Sequence, residues 1–339
     1  MKIYITKYVA SYPTDFKKVI GSKIYGTEFT YGLIEPRRDS EFFPNRSDEK
    51  IMRSDVKEAV VLINELLRKS NFKSTELTPL LIANGAFIED SNKYLQRVMK
   101  VYETFTEELE DKEKIHRIYR ACPPLIALET LTNSTMSYVA QYSGLKYLNS
   151  TFGNTSQSFS LVLKESLNTL NRDDVDRVIV GATNCSGNYS FLMNSSVVGY
   201  STGWRESAGV GLLEIVKSDT IPKGALCEIK DVRLGLKVPS LTEQIIDRKW
   251  NKTVKIGKSD LIICSGAFTS KENQKDLEYC EDSGAKSKSL FESYGNLGAA
   301  SSLLGIIEGI QMFDASIATV NVVDRDIYGR ESIIKIKKC

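Results

Sequence analysis

The chain has 339 residues, 42% hydrophobic and 26% charged, enough to build one large core or two ordinary ones and too apolar for a disordered or fibrous protein. With 45 Lys and Arg against 43 Asp and Glu the net charge is +2, which argues against nucleic acid, an anionic membrane surface or a strongly acidic substrate as partner. The single histidine, His116, excludes any mechanism that needs two imidazoles from this chain.

The opening stretch alternates polar and apolar residues, which predicts a strand over 2–9 and not a leader peptide. No later run reaches the ~18 apolar residues of a membrane span, so the expected location is the cytoplasm. The polar stretch 36–50 reads as a surface loop. SDVKEAVVLINELLRK, residues 54–69, has Asp55 in its first turn and an apolar stripe, the pattern of a helix. LLIANGAF, residues 80–87, is a short apolar run ending in small residues, as in a buried parallel strand whose C-terminal end delivers the chain to a site. A charged, helix-patterned stretch follows over 88–145, with His116 as a solvated helix residue. Gly153-Asn154 then leads into a helix at 158–170 and a strand at 177–183. Further strands are predicted at 209–217 and 226–236, then a surface loop at 239–258. LIICSGAF at 261–268 echoes the run at 80–87, and Gly295-Asn296 opens a second helix at 298–313, followed by strands at 317–323 and 332–338.

A strand, a glycine-led turn, a helix and a strand thus occur twice in the same order, with Ser160-Leu161 and Ser302-Leu303 at the same offset. Strands alternating with helices predict parallel sheets covered by helices, and duplication predicts an α/β, five-layer α/β/α/β/α fold. The first half is read as 1–205, including a helical interface insertion at 88–145, and the second as 206–339. The six cysteines, Cys122, Cys185, Cys227, Cys264, Cys280 and Cys339, are widely spaced with no C-x-x-C, so they read as buried thiols and neither a disulfide framework nor a metal site is expected.

These features resemble the thiolase-like β-ketoacyl synthases over nearly the whole chain. Glu206-Ser207-Ala208-Gly209-Val210-Gly211-Leu212-Leu213-Glu214, followed by Pro222-Lys223-Gly224-Ala225, is similar to the family's Gly-Glu-Gly-Ala-Gly strand and its Arg-Gly-Ala turn. YVAQYSGLK at 138–146 resembles the segment before the family's nucleophile, and YGNLGAASSLLGI its glycine-rich helix start. Decarboxylating condensation needs a thiolate at a helix N-terminus and two imidazole donors for the enolate. In register, the nucleophile position falls on Thr155, the first imidazole on Ser265 and the second on Gly295, so the catalytic set is missing. The family's lysine falls on Leu290, with Lys288 two residues away, and its gating loop is replaced by Asp326-Ile327-Tyr328-Gly329-Arg330-Glu331.

The resemblance is therefore to the chain-length factor, the noncatalytic ketosynthase-like subunit of type II polyketide and aryl-polyene synthases, although glutamine stands at Gln157 and not at the nucleophile position itself. It implies no cofactor, a heterodimer with an active β-ketoacyl synthase subunit, and a phosphopantetheinylated acyl carrier protein met through that complex. It also places the chain-length gate at Phe87, Asp90 and Tyr94, which share one helix face if a helix begins there. Phe87 fits an ordinary core aromatic equally well, and Asp90 a helix cap. Residues 146–152 resemble the family's dimer-forming strand, making Tyr147 and Phe152 interface or core residues. The alternatives are an active acyltransferase using Cys264 or a hydroxyl nucleophile, and a standalone acyl-binding scaffold.

Overall fold

The computed structural model describes residues 2–19, 29–35, 37, 43, 48, 49, 52–70, 77–85, 98, 100–121, 133–153, 156–185, 204–236, 259–281, 283–325 and 330–339. Its strands are β1 (Lys2–Ser11), β2 (Asp15–Val19), β3 (Phe29–Leu33), β4 (Leu80–Asn84), β5 (Asn149–Gly153), β6 (Arg177–Asn184), β7 (Trp204–Ser207), β8 (Gly209–Ser218), β9 (Cys227–Leu236), β10 (Leu261–Ser265), β11 (Lys286–Ser289), β12 (Thr319–Arg325) and β13 (Arg330–Lys338). The helices are α1 (Ser54–Lys69), α2 (Asp111–Ala121), α3 (Ser134–Ser143), α4 (Ser158–Leu170), α5 (Ser270–Glu281), α6 (Leu290–Tyr294) and α7 (Ser301–Gln311).

Ten strands form one mixed sheet in the order β11-β10-β12-β13-β9-β1-β8-β6-β4-β5, and β2-β3-β7 form a small second sheet. The large sheet is a repeat. β5, β4 and β6 run parallel, followed by antiparallel β8 and β1. β11, β10 and β12 run parallel, followed by antiparallel β13 and β9. Within the described residues the ladders of the two sets are joined by β1 and β9, at Tyr4 with Glu228 and Ile5 with Cys227. Because β8 pairs with β1 and β6, it belongs with the first five strands. β8 comes directly after β7, and its register with β1 is set by contacts distant in sequence.

Side-chain alternation assigns the layers. Leu81, Ala83, Val178, Val180, Leu213 and Ile215 of the first five strands pack into one core with Leu261, Ile263, Val320, Val322, Ile334 and Ile336 of the second five. The same core contains Phe159, Val162 and Leu163 of α4 and Leu303, Ile306 and Ile307 of α7, so these two helices fill the space between the half-sheets. The other face of the first half, with Leu80, Ile82, Ile179 and Leu212, is covered by α1 and α3. That of the second half, with Ile262, Cys264, Val323 and Ile333, is covered by α5. This is the five-layer α/β/α/β/α arrangement.

Each helix suits its layer. α1 buries Val56, Ala59, Val60, Ile63 and Leu66 at helical spacing and keeps Lys57 and Arg68 off that face. α7 is buried from Ser301 to Gly309 because it meets a sheet on both sides. It can lie that close because Gly211 on β8 faces it: a Cβ there would stand 2.1 Å from Leu303 Cδ2. The 88–145 stretch proves composite. α2 has no buried residue and carries His116 exposed, whereas α3 packs Val139 against α1 and β4 and is part of the first half's core. Among the described residues no helix is long and apolar enough to cross a membrane.

Candidate functional site

The parallel strands β4, β6, β10 and β12 close on polar residues, Asn84, Asn184, Ser265 and Asp324, each 2% exposed or less. Ligands of α/β sheets bind at such carboxyl ends, and here the two halves bring theirs together beside the starts of α4 and α7. A buried polar group left without a partner costs about 1–3 kcal/mol, so a cluster this dense must be knitted.

It is knitted in four groups. Asn84 Oδ1 accepts from Thr183 Oγ1 at 2.9 Å and from Arg53 Nη2 at 3.3 Å. Arg53, 5% exposed, is balanced by Asp55 at 3.0 Å. Asn184 Nδ2 donates to the Ser207 carbonyl at 2.9 Å and ties β6 to β7. Asn296 Nδ2 donates to the carbonyls of Gly266 and Ala267 at 2.9 and 3.1 Å, while its Oδ1 accepts from Gly298 N–H at 2.8 Å. This one side chain therefore clamps the end of β10 to the entry of α7. Lastly, Asp324 accepts from Gln157 Nε2 at 3.1 Å and from Ser302 Oγ at 2.6 Å, and Ser160 bonds Ser332 at 2.7 Å. Gln157 and Asp324 link the first half to the second.

Thr155, Phe87, Asp90 and Tyr94 lie outside the described residues. Ser265 and Gly295 fall at this cluster. Ser265 Oγ donates to the Val323 carbonyl at 3.3 Å. Gly295 has φ +79° and ψ −165°, a conformation open essentially to glycine alone. A Cβ at Gly295 would stand 2.6 Å from Arg205 Cγ and 2.8 Å from the Arg205 carbonyl oxygen. Arg205 is itself anchored, its carbonyl accepting from Asn296 N–H at 2.7 Å and its Nη1 donating to the Glu292 carbonyl at 3.0 Å. The two positions where imidazoles are expected thus carry a hydroxyl bonded to backbone and a glycine whose side-chain space is occupied. The chain's only histidine is on α2.

Cys264 lies next to Ser265 in sequence but, by strand alternation, faces the outer layer beneath α5. Its Sγ is 3.1 Å from Cys280 Sγ, and that contact together with burial holds its thiol well above the ordinary cysteine range. A nucleophilic thiolate needs the opposite shift. Lys288 donates to Glu308 Oε2 of α7 at 2.6 Å, and Tyr294 donates to Glu308 Oε1 at 3.1 Å. Burial, and then the Glu308 carboxylate, push the Tyr294 phenol up to about 12. Leu290 is a core residue, 1% exposed.

Tyr147 stands just before the sheet's terminal strand β5 and Phe152 within it. Phe152 is partly buried against the central core, and Tyr147 donates its hydroxyl to Asp174 Oδ2 at 2.5 Å. Asp174 also accepts from Arg172, and these two bonds, Arg172's the larger, lower its carboxyl to about 2 from 3.8. A depressed carboxyl stabilises the fold above its unfolded value of 3.8 and loses that contribution as pH falls toward 2. Tyr147→Phe should move the Asp174 midpoint up by part of that interval, read by NMR titration of its side-chain carbon. An unmoved midpoint would leave Arg172 as the whole cause.

Of these polar residues Asn296 stands in the repeated Gly-Asn turn, whereas Asn84, Asn184 and Asp324 belong to no motif. Their signal in the sequence is positional: Asn84 and Ser265 precede glycine at equivalent points of the two echoing runs, and Asn184 and Asp324 each follow a predicted strand.

No family model matches the chain. No curated protein matches it either. Solved structures do. A chain of the AntDE:AntF complex, a type II polyketide synthase acyl carrier protein with its ketosynthase bound to the hexaketide, aligns with TM-score 0.69 and 10% identity over 100% of this chain and 99% of that one. A β-ketoacyl synthase from Burkholderia phymatum STM815 aligns with the same score, identity and coverage. The ketosynthase from module 6 of the bacillaene synthase of Bacillus subtilis 168 has TM-score 0.69 and 10% identity, covering 100% of this chain and 72% of that one. With this full-length superposition at 10% identity, the chain has the thiolase-like ketosynthase fold, and its chemistry rests on its own residues.

Proposed function

We propose that this chain is a noncatalytic ketosynthase-like subunit that pairs with an active β-ketoacyl synthase in the cytoplasm and sets acyl chain length in type II polyketide assembly. The observation that carries this reading is Gly295. At Gly295, where the sequence resemblance puts the family's second imidazole, the backbone adopts a glycine-only conformation, and the space for a side chain is filled by Arg205. A condensing enzyme must stabilise an enolate with preorganised donors, and a lone imidazole on α2 supplies none there. The Asn184 and Asn296 amides and the Ser265 hydroxyl at the strand ends are instead taken up by backbone carbonyls.

Pairing is supported by the two edges of the large sheet. β11 reads Lys286-Ser287-Lys288-Ser289, and charged lysines on an edge strand discourage pairing. β5 reads Asn149-Ser150-Thr151-Phe152-Gly153 and carries no such charge. Beside it stand exposed apolar residues, Leu148 just before the strand at 40% and Leu161 on the adjoining α4 at 44%. An acyl carrier protein would be engaged through the partner's active site, and Phe87, Asp90 and Tyr94 would close the partner's acyl tunnel.

Co-expression with the partner ketosynthase should give a 1:1 heterodimer in native mass spectrometry, with an interface above ~2,000 Å². Alone, the chain should acquire no covalent acyl group from acyl carrier protein thioesters. A stable adduct on Thr155 or Cys264, or a homodimer that persists with partner in excess, would overturn the reading. Within an intact heterodimer, Phe87→Ala should lengthen the product by an extension unit while the matched Phe268→Ala does not. Unchanged lengths would move the gate to Asp90 or Tyr94.

A further inference from the structure

Cys264 and Cys280 are the chemistry in this molecule that neither the site nor the pairing edge uses. Both are buried, at 3% and 0% exposure, with their sulfurs 3.1 Å apart. They join β10 to α5, whose other ties include Asn273, bonded to Ser289 and to Glu292 at 3.4 Å, and Asp276, paired with Arg325 at 3.4 Å. β10 is fixed on both sides by β11 and β12, whereas α5 has only Asn273, Asp276 and Cys280 buried. The start of α5 is secured by a reciprocal cap, Thr269 Oγ1 accepting from Glu272 N–H at 3.2 Å and Glu272 Oε2 accepting from Phe268 N–H at 3.1 Å. Its far end, where Cys280 lies, rests on the two thiols, on the partly buried Leu277 and Ala285, and on the Asp276–Arg325 pair one turn earlier. A helix burying so little apolar surface opens locally at low cost, and opening exposes both thiols together. On reclosure they return to each other, their sulfurs 3.1 Å apart.

We propose that Cys264 and Cys280 form a reversible dithiol/disulfide couple that staples α5 to β10 and so governs local opening over the strand end that carries Ser265. The oxidant is a small-molecule disulfide of the glutathione type. In the open state one cysteine thiolate attacks that disulfide, forming a mixed disulfide and releasing one thiolate. The second cysteine then attacks the protein-side sulfur, closing the Cys264–Cys280 bond and releasing the second thiolate. Two protein thiols are oxidised, one small disulfide is reduced to two thiols, and the two protons pass to the departing thiolates. Because burial and mutual contact raise the Cys264 thiol, the closed state exchanges slowly and the helix's opening sets the rate. The proposal stands or falls independently of any role in chain-length control.

The test uses the full chain in glutathione buffers of graded reduced-to-oxidised ratio, quenched in acid, alkylated and mapped by peptide mass spectrometry. The expected result is a Cys264–Cys280 cross-linked peptide whose yield follows the ratio. Backbone hydrogen exchange over α5 should slow about tenfold or more in the oxidised form. Cys280→Ala should lose both effects and Cys227→Ala should keep both; the mapping of the unsubstituted chain decides alone if a variant does not fold. The exposed Cys339 serves as an internal control for oxidation. Glutathione on Cys339 with Cys264 and Cys280 still free at every ratio would overturn the proposal. So would separate mixed disulfides on the two without a cross-link, or a cross-link that leaves α5 exchange unchanged.

Discussion

Gly295→His is expected to destabilise the folded chain by about 2–6 kcal/mol and to yield no condensing activity. Part of the cost is conformational. At φ +79° and ψ −165° any Cβ is strained, which costs about 1–3 kcal/mol wherever the surroundings prevent relief. The surroundings do prevent it, since Gly295 N–H donates to the Phe291 carbonyl at 2.9 Å and the next residue is held by Asn296's bonds to Gly266, Ala267 and Gly298. The rest is steric, because the Arg205 carbonyl oxygen 2.8 Å from the new Cβ is backbone in β7 and cannot swing aside as a side-chain tip would. Forced packing of this kind costs about 1–3 kcal/mol more. Gly284→Ala is the matched control, with φ +73° and nothing within 4 Å of the added Cβ, so it should lose only about 1–2 kcal/mol. Urea unfolding of the two variants beside the unsubstituted chain measures the difference. A Gly295→His chain as stable as the Gly284→Ala control would mean that the turn can re-form around an imidazole, and the main support for the noncatalytic reading would go with it.

Association should be equally sensitive at the β5 edge. Leu148→Glu with Leu161→Glu places two carboxylates where the proposed partner strand docks, and the heterodimer should weaken at least about 100-fold. Both side chains are 40% or more exposed, so the lone subunit should keep its unfolding midpoint within the range of ordinary surface changes. This separates a docking defect from a folding defect. As a control, Lys286→Glu reverses a charge on the opposite edge, β11, and should leave association unaltered. Analytical ultracentrifugation of mixtures with the ketosynthase gives the outcome. Full association by the double variant, or its loss in Lys286→Glu, would place the interface elsewhere.

Much of the architecture was legible in local pattern. The helices at 54–69 and 158–170 match α1 and α4 residue for residue, because their apolar residues recur at helical spacing and both are packed on one broad face. The second repeat helix is shorter than 298–313. Its first residues, Gly298–Ala300, form a separate 3-10 turn where the left-handed Gly298 follows Asn296, a backbone detail that periodicity does not encode.

Composition and spacing by themselves determined that the chain is an α/β duplication and that its lone histidine cannot supply two imidazoles, since counts and local periods require no knowledge of partners. Tertiary structure alone decided four further points. β8 joined the first five strands, Cys264 turned outward to Cys280, Lys288 was engaged by Glu308, and Asn296 became the clamp between β10 and α7. Each depends on pairing between segments distant in the chain. A strand's period of two states which residues share a face but not which face meets a helix, so the orientation of Cys264 and the partner of Asn296 existed only once the half-sheets had closed on α4 and α7.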